Sequence, residues 1–286
     1  MSSTIQDKQF LFIIGAPRSG TTWLQIMLGE HPQVCTSVEL TLFDRYIGQW
    51  METWRHEVEN AHRPGLNLFW TEQEFHGFLQ DFIYKTYERA LATKPEATHV
   101  LDKRPSYSEH VETIQTLLPN ARFIHIIRDG RDVATSMMAA ARDFWFQTDT
   151  MQKAATRWDE KVRQAQVASR FAGQYLEIRY EDLLEDGVAT LKKVFDFCNL
   201  PITEAQVGDI LEQQAFEKLQ SSRKSASSEY KMPPGFYRKG KAGNWQEELS
   251  AAQQQQFDDI AGELLRELGY AGDNWVTQTS KEVANP

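Results

Sequence analysis

Near the start of the chain an apolar run stops at a glycine-rich turn. Residues 10–14 are all apolar, and Gly15-Ala16-Pro17-Arg18-Ser19-Gly20-Thr21-Thr22-Trp23 follows, leading into periodic sequence over residues 21–30. A short apolar run closed by glycine reads as a buried strand, and threonines ahead of a periodic segment read as a helix start. Strand, loop and helix in that order are half of a parallel-sheet unit, because parallel strands need a crossover. The turn also suits an anion. Glycines let backbone N–H groups converge, and the helix N-terminus adds a favourable dipole. Arg18 adds a planar positive fork, and Thr21 and Thr22 add hydroxyls.

The same alternation continues downstream. Apolar runs at residues 98–101, 122–127 and 175–178 each end in a charged turn, namely Asp102-Lys103-Arg104-Pro105, Arg128-Asp129-Gly130 and Arg179-Tyr180-Glu181-Asp182. Helical periodicity covers residues 72–92, 107–118, 132–141, 151–171, 188–198 and 251–268. This order predicts an α/β fold of three layers, with a central, mostly parallel sheet covered by helices on both faces. Residues 36–67 and 221–245 read as irregular, and long loops inside a compact domain usually serve function. No repeat or linker divides the 286 residues, so residues 1–286 are expected to form a single domain.

Composition narrows the function. Forty acidic residues against 31 basic ones give a formal charge of −9. That balance disfavours nucleic acid and long polyanionic acceptors, which need a basic field. Cys35 and Cys198 form no CxxC or metal-like cluster and are expected to be reduced thiols. The polar N-terminus and the five-residue apolar run do not make a signal or a membrane span. A cytoplasmic protein with no membrane partner is therefore expected.

The first loop has nearly the spacing of the triphosphate-binding motif G-x-x-x-x-G-K-[ST]. Gly15 and Gly20 fit, but Thr21 stands where the lysine belongs. That lysine reaches the β and γ phosphates, so the loop is ill suited to ATP or GTP. A P-loop-type kinase or NTPase remains the alternative, marked by magnesium dependence and ATP turnover.

With these motifs the chain resembles the superfamily of sulfotransferases that use PAPS, 3'-phosphoadenosine 5'-phosphosulfate. Residues Arg18, Ser19, Gly20, Thr21, Thr22 and Trp23 resemble its 5'-phosphosulfate motif. Arg128 and Ser136, eight residues apart, resemble its 3'-phosphate pair. Tyr180 resembles the tyrosine near the adenine. Arg238-Lys239-Gly240, with Gly243-Asn244-Trp245, resembles the R-K-G-x-x-G-[DN]-W element that closes over the 3'-phosphate. The resemblance implies in-line sulfuryl transfer from PAPS to a hydroxyl or amine of a small molecule, with PAP as product and no metal. It sets Arg18 at the bridging and sulfuryl oxygens, with Lys103 as a second cation.

The pattern departs at the base. The histidine of animal cytosolic relatives falls on Pro105. Carbohydrate-type and bacterial relatives use a glutamate instead, loosely matched by Glu39 in Glu39-Leu40-Thr41-Leu42-Phe43, so Glu39 is the expected base. His110, one turn into the helix after Lys103, competes for that role, and His125 is expected in the core. Trp50, Trp54, Trp70, Phe144 and Trp145 form either core or an aromatic wall for an aromatic or cationic acceptor. Donor binding without transfer, and sulfation of a carrier-bound acyl chain, are the further alternatives.

Overall fold

The strand β1 (Gln9–Ile14) lies at the centre of the molecule because both of its faces are apolar. Phe10, Phe12 and Ile14 enter the core cluster on one side of the sheet, and Leu11 and Ile13 enter the cluster on the other. A run without polar alternation is what a strand covered on both faces requires. The computed structural model describes residues 4–36, 38–60, 65–143, 148–224, 231–233, 235–273 and 275–276. Phe144 and Trp145 lie outside the described residues.

Four further strands complete the sheet: β2 (Val34–Thr36), β3 (His99–Lys103), β4 (Arg122–Ile127) and β5 (Tyr175–Arg179). Their order is β2-β3-β1-β4-β5 and every pair is parallel. Register places Phe12 beside Asp102 on one side and beside Phe123 on the other. The chain leaves β1 toward β2 and β3, whereas β4 leads on to β5 at the opposite edge. The carboxyl ends of β1 and β4 therefore flank a topological switch point, where ligands of open α/β sheets gather.

The helices are α1 (Thr21–Gly29), α2 (Gly48–Glu59), α3 (Glu72–Leu91), α4 (Val111–Leu117), α5 (Gly130–Asp143), α6 (Met151–Gln166), α7 (Tyr180–Glu185), α8 (Gly187–Phe197), α9 (Glu204–Gln213), α10 (Phe216–Ser222), α11 (Trp245–Glu248) and α12 (Ala251–Glu267). One apolar layer packs β1 against α2, α3 and α4, and the other packs it against α1, α8 and α9. A third cluster joins α5, α6 and α12 around Trp158 and Phe257. Thr71, Thr203 and Ser250 cap α3, α9 and α12, each paired with an acidic or amide side chain three residues on.

The three-layer parallel architecture is the expected one, and the boundaries differ where tertiary contacts override local pattern. β3 runs on to Lys103 because Asp102 and Lys103 are buried and find polar partners. β2 is a three-residue edge strand, too short for a periodic signal. The stretch 36–67, read as irregular, contains α2 and a π-helical segment, Leu42–Ile47. The helix expected over residues 107–118 begins as a 3-10 turn, Pro105–His110, before α4. Among the described residues no helix is long and apolar enough to cross a membrane.

Candidate active site

The loop between β1 and α1 is wound tightly enough to require glycine at two points. Gly15 has φ 139° and Gly20 has φ 98°, both in the region that disfavours side chains. A Cβ at Gly20 would lie 2.6 Å from the Tyr180 ring, and one at Gly15 would lie 2.5 Å from the Ile126 carbonyl oxygen. Arg18, at φ 72°, is also left-handed, and this turns its side chain across the cleft. Its Nε donates to Ser136 Oγ at 3.1 Å, and its guanidinium lies 4.7 Å from the Phe236 ring centre. Ser19 is fully buried and its hydroxyl has no hydrogen-bond partner among the described residues.

Arg128 leaves the end of β4 at the same switch point. Its guanidinium lies 4.4 Å over the Tyr180 ring, and it donates to the carbonyls of Arg18 (3.3 Å) and Lys241 (2.8 Å). Its Nε is buried with no hydrogen-bond partner among the described residues. Arg18 is pushed down to about 10 by burial, and then by repulsion from Arg128 and Arg238. Asp132 lies 3.6 Å from the Arg128 guanidinium and Glu248 pairs with Arg238, and with Arg18 these side chains gather three cations at one end of the cleft.

The segment before α11 forms the opposite wall. Asp132 on α5 accepts from the backbone N–H groups of Gly243 (2.7 Å) and Trp245 (3.0 Å), fastening the segment over the phosphate loop. Gly240 has φ 62°, and a Cβ there would lie 2.4 Å from the Phe216 ring. Arg238 and Lys239 both turn back to Glu248, at 2.7 and 2.6 Å. Burial tends to raise the Glu248 carboxyl, but these two cations hold it below its usual range.

At the other end of the cleft stands a carboxylate–amine pair. Lys103 is fully buried, its Nζ donates to Thr22 Oγ1 at 2.9 Å, and it forms an ion pair with Glu39. Burial lowers the lysine while Glu39 opposes the change. Arg104 reaches Glu39 at 3.5 Å and also pairs with Asp44, which accepts from Ser106 Oγ at 2.7 Å. The cleft that joins both ends has a volume of about 700 Å³. One end is equipped to hold an anion and the other to hold and move a proton beside a cation.

The sulfotransferase family description matches residues 11–204, about two thirds of the chain. The chain belongs to the sulfotransferase family. It is 27% identical over 199 residues to a putative protein-tyrosine sulfotransferase of Caenorhabditis briggsae, covering 69% of this chain and 68% of that protein. To protein-tyrosine sulfotransferase A of Caenorhabditis elegans it is 25% identical over 198 residues, covering 67% of this chain but 50% of the relative. Among solved structures it superposes on mouse sulfotransferase SULT7A1 complexed with PAP, with a TM-score of 0.58 and 18% identity, over 96% of this chain and 88% of that one. The sulfotransferase domain of the Synechococcus PCC 7002 olefin synthase gives 0.57 and 21%, over 92% and 97%. At these identities the structural likeness speaks for the fold.

Within this sulfotransferase, one cleft is lined by Arg18, Gly20, Thr21, Thr22, Trp23, Glu39, Lys103, Arg128, Ser136, Tyr180, Arg238, Lys239 and Gly240. Ser19 is packed beneath the loop and does not line the cleft. Arg18 donates to Ser136 Oγ, and the cation beside Glu39 is Lys103. His110 stands apart from the cleft. It packs on Gly48, where a Cβ would come within 2.6 Å of its ring, and burial lowers it. His125 is fully buried in the core, where burial pushes it down to about 3. Of the tryptophans offered as an acceptor wall, Trp50, Trp54 and Trp70 lie elsewhere. Trp54 stacks on Phe75 at 4.4 Å, and Trp50 and Trp70 pack against Phe78 on α3. The aromatic lining comes from Trp23, Tyr180, Phe216, Phe236 and Tyr237. Phe236 and Tyr237 adjoin Arg238 and were findable on that ground. Asp44, Arg104 and Ser106 carry no local signal.

Proposed function

We propose that the cleft binds PAPS and passes its sulfuryl group to a hydroxyl or amine of a small acceptor, with Glu39 taking the acceptor's proton. The reading rests on the convergence of Arg18, from the loop after β1, with Arg128 and Ser136, from the β4–α5 unit, on one cleft. The residues fit an anionic nucleotide on a further count. Arg128 lines the cleft, and its Nε is buried with no hydrogen-bond partner among the described residues. Buried polar groups of this kind carry a desolvation cost that a ligand relieves.

In this reading the first turn of α1, with Thr21 and Thr22, holds the 5' end of the donor. Arg128 and Ser136 hold the 3'-phosphate, Tyr180 flanks the base, and Arg238 and Lys239 close over it on leaving Glu248. PAPS supplies the sulfuryl group. Lys103 faces it as a positive charge in a water-poor setting, where a fixed cation counts for most. Glu39, paired with Lys103 but still open to the cleft, receives the proton as the acceptor bond forms. A second reading, the tyrosine hydroxyl of a peptide as acceptor, is favoured by the named protein-tyrosine sulfotransferase relatives. A panel of p-nitrophenol, cationic amines and a tyrosine peptide separates the two.

Calorimetry with PAP tests the donor. Wild type should bind PAP, and Arg128→Ala should weaken it by about 30- to 1000-fold, since truncating a charged phosphate contact costs on the order of 2–4 kcal/mol. Preference for ATP–Mg over PAP would overturn the reading in favour of a kinase.

A further inference from the structure

A hydrogen-bonded carboxyl group stands directly behind the Lys103–Glu39 pair, and neither end of the cleft uses it. Asp102, on β3, is 2% exposed. Its Oδ1 accepts from the Lys103 backbone N–H at 2.8 Å, and its Oδ2 accepts from the Tyr87 hydroxyl at 2.7 Å. The same Oδ2 lies 3.1 Å from the Tyr107 hydroxyl, which also lies 2.8 Å from the carbonyl of Leu40. Leu40 follows Glu39 in the chain, so Tyr107 holds the backbone that presents the proposed base.

The protons do not balance if Asp102 is ionised. The Tyr107 hydroxyl has one hydrogen and two acceptors, Leu40 O and Asp102 Oδ2. Donating to Leu40 leaves two lone-pair-bearing oxygens facing each other at 3.1 Å. Donating to Asp102 leaves the Leu40 carbonyl without this bond. A proton on Asp102 Oδ2 satisfies every contact at once. Asp102 then donates to Tyr107, Tyr107 donates to Leu40, and Tyr87 still donates to Oδ2. The geometry points to Asp102 as a positioning residue that, in its neutral form, orders the Glu39 segment through Tyr107.

The surroundings agree. Burial raises the carboxyl to about 6, against the lowering effects of Tyr87, the Lys103 amide and the Lys103 charge; Tyr107 lowers it only in the arrangement where its hydroxyl donates to Asp102 rather than to Leu40. From α3 the facing group is the Tyr87 phenol, and from the 3-10 turn it is the Tyr107 phenol; burial, and then Asp102, holds both protonated. From β1 the register neighbour is Phe12, which is apolar. The nearest charges are Lys103, the Glu39 paired with it, and Asp44 beyond Tyr107. The enzyme thus carries a group whose ionisation, between mildly acid and neutral pH, releases the segment bearing Glu39.

The consequence for turnover rests on the reading of Glu39 as base, but the positioning itself does not. The test therefore needs no acceptor. Aspartate carboxyl NMR follows the titration of Asp102, assigned by the signal lost in Asp102→Asn. The midpoint should lie above 5. It should fall by about half a pH unit or more in Tyr107→Phe, which removes the acceptor of the Asp102 proton. In Tyr87→Phe it should rise, because a donor to the carboxylate is lost. Each variant deletes one buried hydroxyl and controls for the folding of the other. Amide exchange over residues 38–42 should quicken in Tyr107→Phe and, in wild type, as pH passes the midpoint, with no such step in Asp102→Asn. A midpoint below 4.5, or one that rises in Tyr107→Phe, overturns the proposal. Loss of turnover in Glu39→Gln is scored separately and bears only on the base.

Discussion

Glu39 and Lys103 are unequal partners. The lysine is fully buried, whereas the glutamate side chain is 37% exposed and opens on the cleft. Glu39→Gln keeps the shape and a hydrogen bond but cannot take a proton. We expect kcat to fall by about 10²- to 10⁴-fold with PAP affinity nearly unchanged, measured by steady-state kinetics and calorimetry. Asp102 gives a second residue-scale expectation, on stability. Its carboxyl is raised from 3.8 to about 6 in the fold, so between those values the folded state binds the extra proton. Its contribution is fully present below pH 4 and is lost as pH rises through 6. The span is on the order of 3 kcal/mol. Urea unfolding of wild type and Asp102→Asn should therefore diverge between pH 4 and 7, with wild type losing stability relative to the variant.

At the scale of elements, the segment ahead of α11 is held at two places with different consequences. Asp132 fixes its backbone at Gly243 and Trp245. Glu248, on α11, engages the side chains of Arg238 and Lys239, which line the cleft, in ion pairs. A ligand that needs those cations must displace Glu248. We expect Glu248→Gln to tighten PAP binding by about three- to tenfold, the modest range appropriate to a partly exposed ion pair, with the gain shrinking as salt is added. Unchanged affinity in calorimetry would mean that Arg238 and Lys239 do not reach the ligand.

For the molecule as a whole, a formal charge of −9 coexists with a cleft that gathers Arg18, Arg128, Arg238, Lys103 and Lys239. The sheet order explains this. The loops after β1 and β4, which carry Arg18 and Arg128, meet at the switch point. A ligand there ties together the loop after β1, the start of α5 and the segment before α11. PAP at 100 times its Kd should raise the unfolding free energy by about 2.7 kcal/mol, read as a rise in Tm that Arg128→Ala cuts to the equivalent of about 1 kcal/mol or less at the same PAP concentration.

The fold class, and the residues that line the cleft beside the loops after β1 and β4, were legible in the sequence because each depends on local pattern. Apolar runs that end in glycine or charged turns mark strand ends, and the spacing from Gly15 to Thr22 and from Arg128 to Ser136 is set within one strand–helix unit. The β4 boundaries, residues 122–127, follow directly from such a run. What lies between segments did not show. Arg18 turns to Ser136 rather than to Lys103 because its positive φ and the nearby Phe236 direct it, and neither is a property of the local sequence. His110 looked as near to Lys103 as a base needs to be. The 3-10 turn that begins at Pro105 carries it against Gly48 instead. The link from Asp102 through Tyr107 to Leu40 spans three segments, and only their packing brings one phenol between two acceptors. Sequence determines which groups are available and which strand ends present them. Tertiary structure decides which of those groups share a proton.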